Sequence, residues 1–461
     1  MTQEAGQPAA DACRIRFLNH SCIVLESPGT RVLCDPWFEG TAFNDGWRLL
    51  VEHSHRIDEI PCDYIWLSHE HPDHFSIPTL RRLGEPRRFL YQKTSDGKVR
   101  AFLTARGHTC AEMEDGVPCE VGDIRKTIYI SDGYDSAAVV EFPDGSVFLN
   151  ANDARLEMGG NIERILKHHP RIDVLAAQFS YANWAGNIGD EATPVHQQDL
   201  VIARLKTYIE AFQPKKLILF ASFVHYAHEE NFYWNRSWLP YVMNALRDYA
   251  GLIVIPRPDQ VFGMQDMLNH DFTAENRESI AFWESAAADI RVRDYTNREV
   301  GLDDIGRAYH DFFARIWSDN AIDAVITDRN RDFAIVAHLP DLGRSVRLHL
   351  FQDRLDLLPD DDKTPADFTV TAETLCFLLK NNFGRGTLTI NGRIQFNYPS
   401  AHRFFIFFFV PYANNIGIHF REGRLDAGKL QSIARTSVMM SILQATAEAR
   451  ANFERDLLAF G

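Results

Sequence analysis

Ser68-His69-Glu70-His71-Pro72-Asp73-His74 sets three imidazoles and two further carboxylates into one short stretch, directly after the apolar run Tyr64-Ile65-Trp66-Leu67. The apolar run reads as a buried strand, and the polar stretch as the loop it opens into. Imidazole and carboxylate are ligands that hold zinc, iron or manganese without thiolate. His69 and His71 share one face of an extended segment, because side chains two apart point the same way. A turn after them brings Asp73 and His74 to a second ion, at the ~3.5–4 Å spacing of two-metal sites. A helix is expected to follow over 77–83.

Working outward, extended segments are expected at 14–17, 22–26 and 31–34, with a Pro28-Gly29 turn between the last two, and further strands at 64–68, 127–131, 137–142 and 147–150. After Asn161 the pattern changes to alternating helix and strand: helices at 162–168, 197–211 and 238–249, strands at 174–179, 217–221 and 252–255. Strands inside and helices outside give an α/β or α+β layered architecture. From 266 onward the reading is helices at 273–288, 303–317, 371–381 and 425–459, and strands at 323–327, 333–338, 345–351, 387–390 and 403–410. The domains are therefore expected as a disordered N-terminus over 1–11, a first domain over 12–265 and a smaller α+β domain over 266–461.

A dinuclear site needs a bridging carboxylate and a ligand from elsewhere. Asp153 lies just after the 147–150 strand. His225 and His228 both follow the 217–221 strand. Between Tyr129 and Val140 the chain has no histidine, and its ligand-type side chains are Asp132 and Asp135. A carboxylate there enriches the site in hard oxygen donors and favours iron or manganese over zinc. Arg155 and Arg257 are candidates for binding a substrate carboxylate or phosphate, since guanidinium pairs with such groups bidentately.

Composition narrows the classes. The chain has 461 residues, 45% hydrophobic and 24% charged, with a formal charge of −15. Such acidity argues against a general nucleic-acid or anionic-membrane binder. Seven scattered cysteines without a CxxC pair fit a reducing cytoplasm. No secretory signal is read in the polar N-terminus, and Phe404–Val410 is far shorter than the ~20 residues of a membrane helix.

The H-x-H-x-D-H spacing resembles the metallo-β-lactamase-fold superfamily, which implies an αββα sandwich, a bridging aspartate at Asp153 and a last histidine ligand in the 220–228 loop. Further phrases resemble the corresponding portion of CMP-N-acetylneuraminate hydroxylase: Phe17-Leu18-Asn19-His20-Ser21-Cys22, Cys34-Asp35-Pro36-Trp37-Phe38, Gly46-Trp47, Asp132-Gly133, Phe220-Ala221 and Pro256-Arg257-Pro258. That alignment favours His228 over His225. The resemblance implies a diiron oxygenase with dioxygen as co-substrate, the ions held by His69, His71, Asp73, His74, Asp153 and His228, with Asp132 or Asp135, and with Asp73 and Asp153 in catalytic positions. Those enzymes also carry a Rieske iron–sulfur domain, and no Cys-x-His element is found here. Electrons must then come from an external donor: a reductase, or a Rieske or ferredoxin-type protein. Two alternatives stand beside this reading. One is a zinc- or manganese-dependent hydrolase of a phosphodiester, lactone or amide. The other is a non-catalytic scaffold, whose C-terminal domain loosely resembles sterol-carrier modules. The terminal helix has an apolar stripe suited to its own domain or to a homodimer partner.

Overall fold

The computed structural model describes residues 13–131, 135–292, 299–324, 326, 328–420 and 447–457. The chain divides into two compact units, the first comprising the residues up to Tyr181 with 195–227 and 234–291, the second 182–194, 228–233 and the residues from 292 onward.

The first unit is built on two seven-stranded sheets. One runs in the order Val261–Gly263, Arg14–Asn19, Cys22–Glu26, Arg31–Cys34, Tyr64–Leu67, Arg88–Gln92, Thr109–Met113. The other runs Ile253–Val254, Lys216–Phe220, Val174–Gln178, Val147–Asn152, Asp135–Glu141, Ile124–Ser131, Cys119–Val121. Each sheet pairs its meander strands antiparallel and its crossover strands parallel. The period of two divides each strand of the first sheet between two cores. Ile23, Leu25, Trp66 and Leu90 join the core shared with the second sheet, among Val139, Phe148 and Leu175. Their neighbours Cys22, Val24, Ile65, Leu67, Phe89 and Tyr91 pack outward with Leu80, Val99 and Leu103 from the helices Ile77–Leu80 and Lys98–Thr104. Helices Asn161–His168, Ala192–Phe212 and Leu239–Ala245 contribute Ile165, Leu205 and Val242 to the larger core. The result is the expected αββα sandwich. A two-stranded ribbon, Trp47–Leu49 with Val224–Tyr226, belongs to the same unit.

Helix Thr273–Ala288 buries Trp283 in this first core. The strands Arg88–Gln92 and Thr109–Met113 extend the sheet beyond the segments read from sequence. The helix after the histidine stretch is shorter than expected, ending at Leu80.

The second unit holds a five-stranded sheet, Leu355–Leu357, Arg344–His349, Ala334–Leu339, Phe368–Thr369, Gln395–Phe396, with helices Leu302–Asp319 and Ala372–Lys380. Three expected strands are corrected here. Residues 387–390 lie inside helix Gly384–Asn391, which Gly392 closes in a left-handed cap, the ordinary role of glycine at that position. Residues 403–410 form helices His402–Phe407 and Phe409–Asn415, because a run apolar on every side suits a buried helix as well as a buried strand. Ile322–Ala324 is a short 3-10 turn where a strand was expected. Of the expected terminal helix, Ala447–Leu457 is observed; the stripe from Leu430 to Leu443 and the segment 1–11 lie outside the described residues. Among the described residues, no helix is long and apolar enough to cross a membrane.

Candidate metal centre

Strand ends of both sheets gather at one edge of the first unit. His20 follows Arg14–Asn19, Asp35 follows Arg31–Cys34, the 68–74 loop follows Tyr64–Leu67, and Asp153 follows Val147–Asn152. His20, Asp35 and Asn152 all have positive φ, at 44°, 44° and 36°. Non-glycine residues adopt that conformation at a cost and cluster where function fixes the backbone. The two sheets are tied at this edge: the Ala221 N–H donates to the His20 carbonyl at 2.8 Å, and the Ser136 hydroxyl to the Ser68 carbonyl at 2.5 Å.

Within the loop, His69 and His71 face each other, His69 Nε2 lying 2.9 Å from His71 Nδ1. Glu70 alternates away and pairs with Lys98 at 2.8 Å. The chain then turns, the N–H groups of His74 and Phe75 donating to the His71 carbonyl, and this returns Asp73 and His74 to the same place. His74 Nε2 lies 3.5 Å from both Asp73 Oδ2 and Asp153 Oδ2, and His20 Nε2 lies 3.4 Å from Asp73 Oδ2. Asp135 Oδ1 is 3.7 Å from His69 Nε2. Three overlapping groups of donors result: His20, Asp73 and His74; His69, His71 and Asp135; His69, His74 and Asp153.

A surrounding layer orients these side chains. Asp35 Oδ2 takes the Nδ1 hydrogen of His74 at 3.0 Å, while its Oδ1 accepts from the Ser68 N–H at 2.7 Å. A histidine held this way by a carboxylate presents its other nitrogen to a metal. Ser68 Oγ lies 2.9 Å from His69 Nδ1, and Gln178 Nε2 donates to Asp153 Oδ1 at 3.3 Å.

Burial opposes ionisation of Asp73, yet the charges of His74 and His20 prevail and hold its carboxyl at about 2. Burial also disfavours the His74 imidazolium, yet Asp73, Asp153 and Asp35 around it raise its pKa well above the usual range. His69 moves the other way, pushed down by burial and by His74, His71 and His20, so it stays neutral. Asp73, His74, His69 and His20 are at most 2% exposed. Even so, Asp73 Oδ1, His74 Nε2 and His20 Nδ1 make no hydrogen bond. Buried polar atoms without a partner are costly. A neutral imidazole, ionised carboxylates and unmatched donor atoms in one dry place fit a divalent metal.

Of the residues singled out from sequence, His69, His71, Asp73, His74, Asp135 and Asp153 come together here. Asp132 lies outside the described residues. His228 and His225 belong to none of the three groups. His228 is in the second unit with its Nδ1 3.3 Å from Glu230, and His225 sits in the Val224–Tyr226 strand, its pKa lowered to about 4 by burial and Arg48 against a bond to the Leu49 backbone. Arg155 Nε is 3.3 Å from Glu157, and Arg257 Nη2 is 3.4 Å from Glu278. Sequence reasoning passed over His20 and Asp35, although Asn19-His20 and Asp35-Pro36 each end a strand in the same way that Ser68 does.

Residues 14–152 match the family model described as the beta-lactamase superfamily domain. The chain is similar to the cytidine monophosphate-N-acetylneuraminic acid hydroxylase of Danio rerio, 28% identical over 189 residues, which are 39% of this chain and 31% of that protein. With the Cricetulus griseus protein of the same name it shares 42% identity over 76 residues, 16% of this chain and 14% of the other. The matches thus span a third or less of those relatives' length. Among solved structures, CmlA, a diiron β-hydroxylase from Streptomyces venezuelae, aligns with a TM-score of 0.42 and 14% identity over 56% of this chain and 55% of that one. The chain therefore carries a metallo-β-lactamase-fold domain and resembles part of the CMP-N-acetylneuraminic acid hydroxylases.

Proposed function

We propose that this centre holds two adjacent divalent metal ions, iron by preference, and that the chain is a dinuclear metal oxygenase acting on a small polar substrate, anionic groups included. One observation carries the reading. Imidazoles and carboxylates from four strand ends converge, and three of their buried donor atoms are left without a hydrogen bond. Three carboxylates in the set, and no thiolate, favour iron or manganese over zinc.

Iron bound there supplies the chemistry of dioxygen activation, which no side chain provides. The chain's own residues do the rest. Asp35 takes the Nδ1 hydrogen of His74 and fixes its tautomer, Ser68 steadies His69 and the loop backbone, and near-complete burial keeps bulk water from His20, His69, Asp73 and His74. Asp73 and Asp153 are the carboxylates in reach of a reacting centre. An anionic substrate that uses Arg155 or Arg257 displaces the carboxylate each now faces, Glu157 or Glu278. Electrons come from an external reductase, or from a Rieske or ferredoxin-type protein. All seven cysteines are unpaired, which supports a reducing compartment such as the cytoplasm.

Zinc or manganese on the same donors would instead suit hydrolysis, by lowering the pKa of bound water. Stripping the protein of metal and reloading it with iron under reductant, or with zinc, separates the two. Substrate-dependent oxygen uptake with iron alone supports the oxygenase. Turnover with zinc and no oxygen uptake with iron overturns it.

A further inference from the structure

Strand Val147–Asn152 does not run straight into Asp153. Against its parallel neighbour Val174–Gln178 it pairs Asn150 with Ala176 but Asn152 with Ala177, so Ala151 is an inserted residue. A bulge of this kind bends the strand and re-aims the side chains beside it. Asn152, on the far side of the bulge, has φ 36°, in the left-handed region that asparagine enters more readily than most residues.

The Asn152 side chain is buried, and its amide is engaged at both ends. Oδ1 accepts from the Asp153 N–H at 2.6 Å, and Nδ2 donates to the Ser136 carbonyl at 3.0 Å. The Asn152 N–H donates to Asn150 Oδ1 at 3.1 Å, which closes the bulge from behind. Ser136 passes the connection on, its hydroxyl donating to the carbonyl of Ser68, the residue before His69. Ser136 and Ser68 are fully buried. Buried hydrogen bonds therefore tie the peptide that carries Asp153 to the loop that carries His69, His71, Asp73 and His74.

Asp153 stands between the two other donor groups. Its own group shares His69 with His71 and Asp135, and shares His74 with His20 and Asp73. That is the place of a carboxylate that serves both ions. Gln178, bonded to Oδ1 at 3.3 Å, steadies the carboxylate, whereas Asn152 fixes the backbone from which it projects.

We infer that Asn152 is a positioning residue of the dinuclear centre. By holding Asp153 to the histidine loop through Ser136 and Ser68, it sets the spacing on which binding of the second ion depends. The inference rests on the two-ion reading above and goes beyond it, assigning the spacing to an amide whose two ends are already bonded within the protein.

The test uses the full chain stripped of metal and titrated with zinc alone and, without air, with ferrous iron alone. Chelator competition gives the two stepwise affinities. Asn152→Gly keeps the left-handed backbone without a steric cost and removes the amide. Ser136→Ala cuts the same connection at its next link. In both variants the first ion is expected to bind as in the unaltered protein and the second about 10- to 100-fold more weakly, the range for losing a group that orients a ligand. The coupled fraction of the Mössbauer signal in iron-loaded protein is expected to fall with it. Circular dichroism and urea denaturation accompany each variant, and Ser136→Ala carries the test if Asn152→Gly does not fold. A merely structural role would lower the urea midpoint and leave the ratio of the two affinities unchanged. An unchanged ratio in the folded variants overturns the inference and leaves the two-ion reading standing. An unaltered protein that binds fewer than two ions of either metal overturns both.

Discussion

Around Glu230 in the second unit, both carboxylate oxygens are bonded. Arg393 Nε lies 2.6 Å from Glu230 Oε2, Thr374 donates to the same oxygen, the Thr371 N–H donates to Oε1, and His228 Nδ1 stands 3.3 Å away. Around His74 in the first unit, Asp73 and Asp153 each stand 3.5 Å from the ring's Nε2, and Asp73 Oδ1, His74 Nε2 and His20 Nδ1 go without a hydrogen bond. The difference separates two uses of buried polarity. A closed cluster is explained by the fold that it pins. An open one, held at strand ends by left-handed backbone and a layer of orienting hydrogen bonds, is complementary to something the chain does not supply.

The contrast predicts that variants in the two clusters fail differently. His74→Ala should abolish high-affinity metal binding and, since bound metal supplies several kcal/mol of transition-state stabilisation, cut turnover by about a thousandfold or more while the protein stays folded. Metal analysis beside circular dichroism checks it. Glu230→Ala should do the reverse, taking from buried Arg393 its 2.6 Å carboxylate and leaving Glu373 at 3.6 Å, at a cost of about 3 kcal/mol in urea denaturation, with metal content unchanged. His228→Gln should follow Glu230 in losing stability rather than His74 in losing metal; loss of metal would move His228 into the open cluster.

Asp35→Asn removes only the orienting carboxylate, so metal affinity should weaken about 10- to 100-fold without loss of fold, as read by chelator competition. A smaller effect comes from acid. Burial, first among the causes, lowers His53 and His225 from 6.5 to about 4. The unfolded chain therefore binds protons that the folded one refuses between those values. Stability should be full above pH 6.5 and fall as the pH drops toward 4. Denaturation midpoints across that window check it, and His53→Gln with His225→Gln should flatten the slope.

The same contrast explains what could be read in advance. The 64–74 segment was legible because an apolar run with a sharp polar end has one natural reading, and because ligand-type side chains at alternate positions declare a shared face. The strands Cys22–Glu26 and Arg31–Cys34 were legible as short apolar runs either side of the Pro28-Gly29 turn. Phe404–Val410 was misread because it is apolar at every position and carries no period; its helices come from tertiary packing, with Phe312 against Phe407 at 5.8 Å. Thr387-Leu388-Thr389-Ile390 looked like a strand by β-branching, while the decisive signal was Gly392 just beyond. Thr109–Met113 lies at the sheet edge, where half-exposed residues dilute the pattern. His20 was missed because a single histidine after a strand has no spacing to mark it, and its role emerges only when Asp73 is brought to it across the fold.

The central claim is that the strand-end donors take two adjacent ions. The most direct test is iron quantification with Mössbauer spectroscopy on iron-loaded protein, alongside His74→Ala treated identically. The account predicts about two irons per chain in one coupled cluster, and the collapse of that signal in the variant. Iron below one equivalent, or a signal that survives His74→Ala, would contradict it.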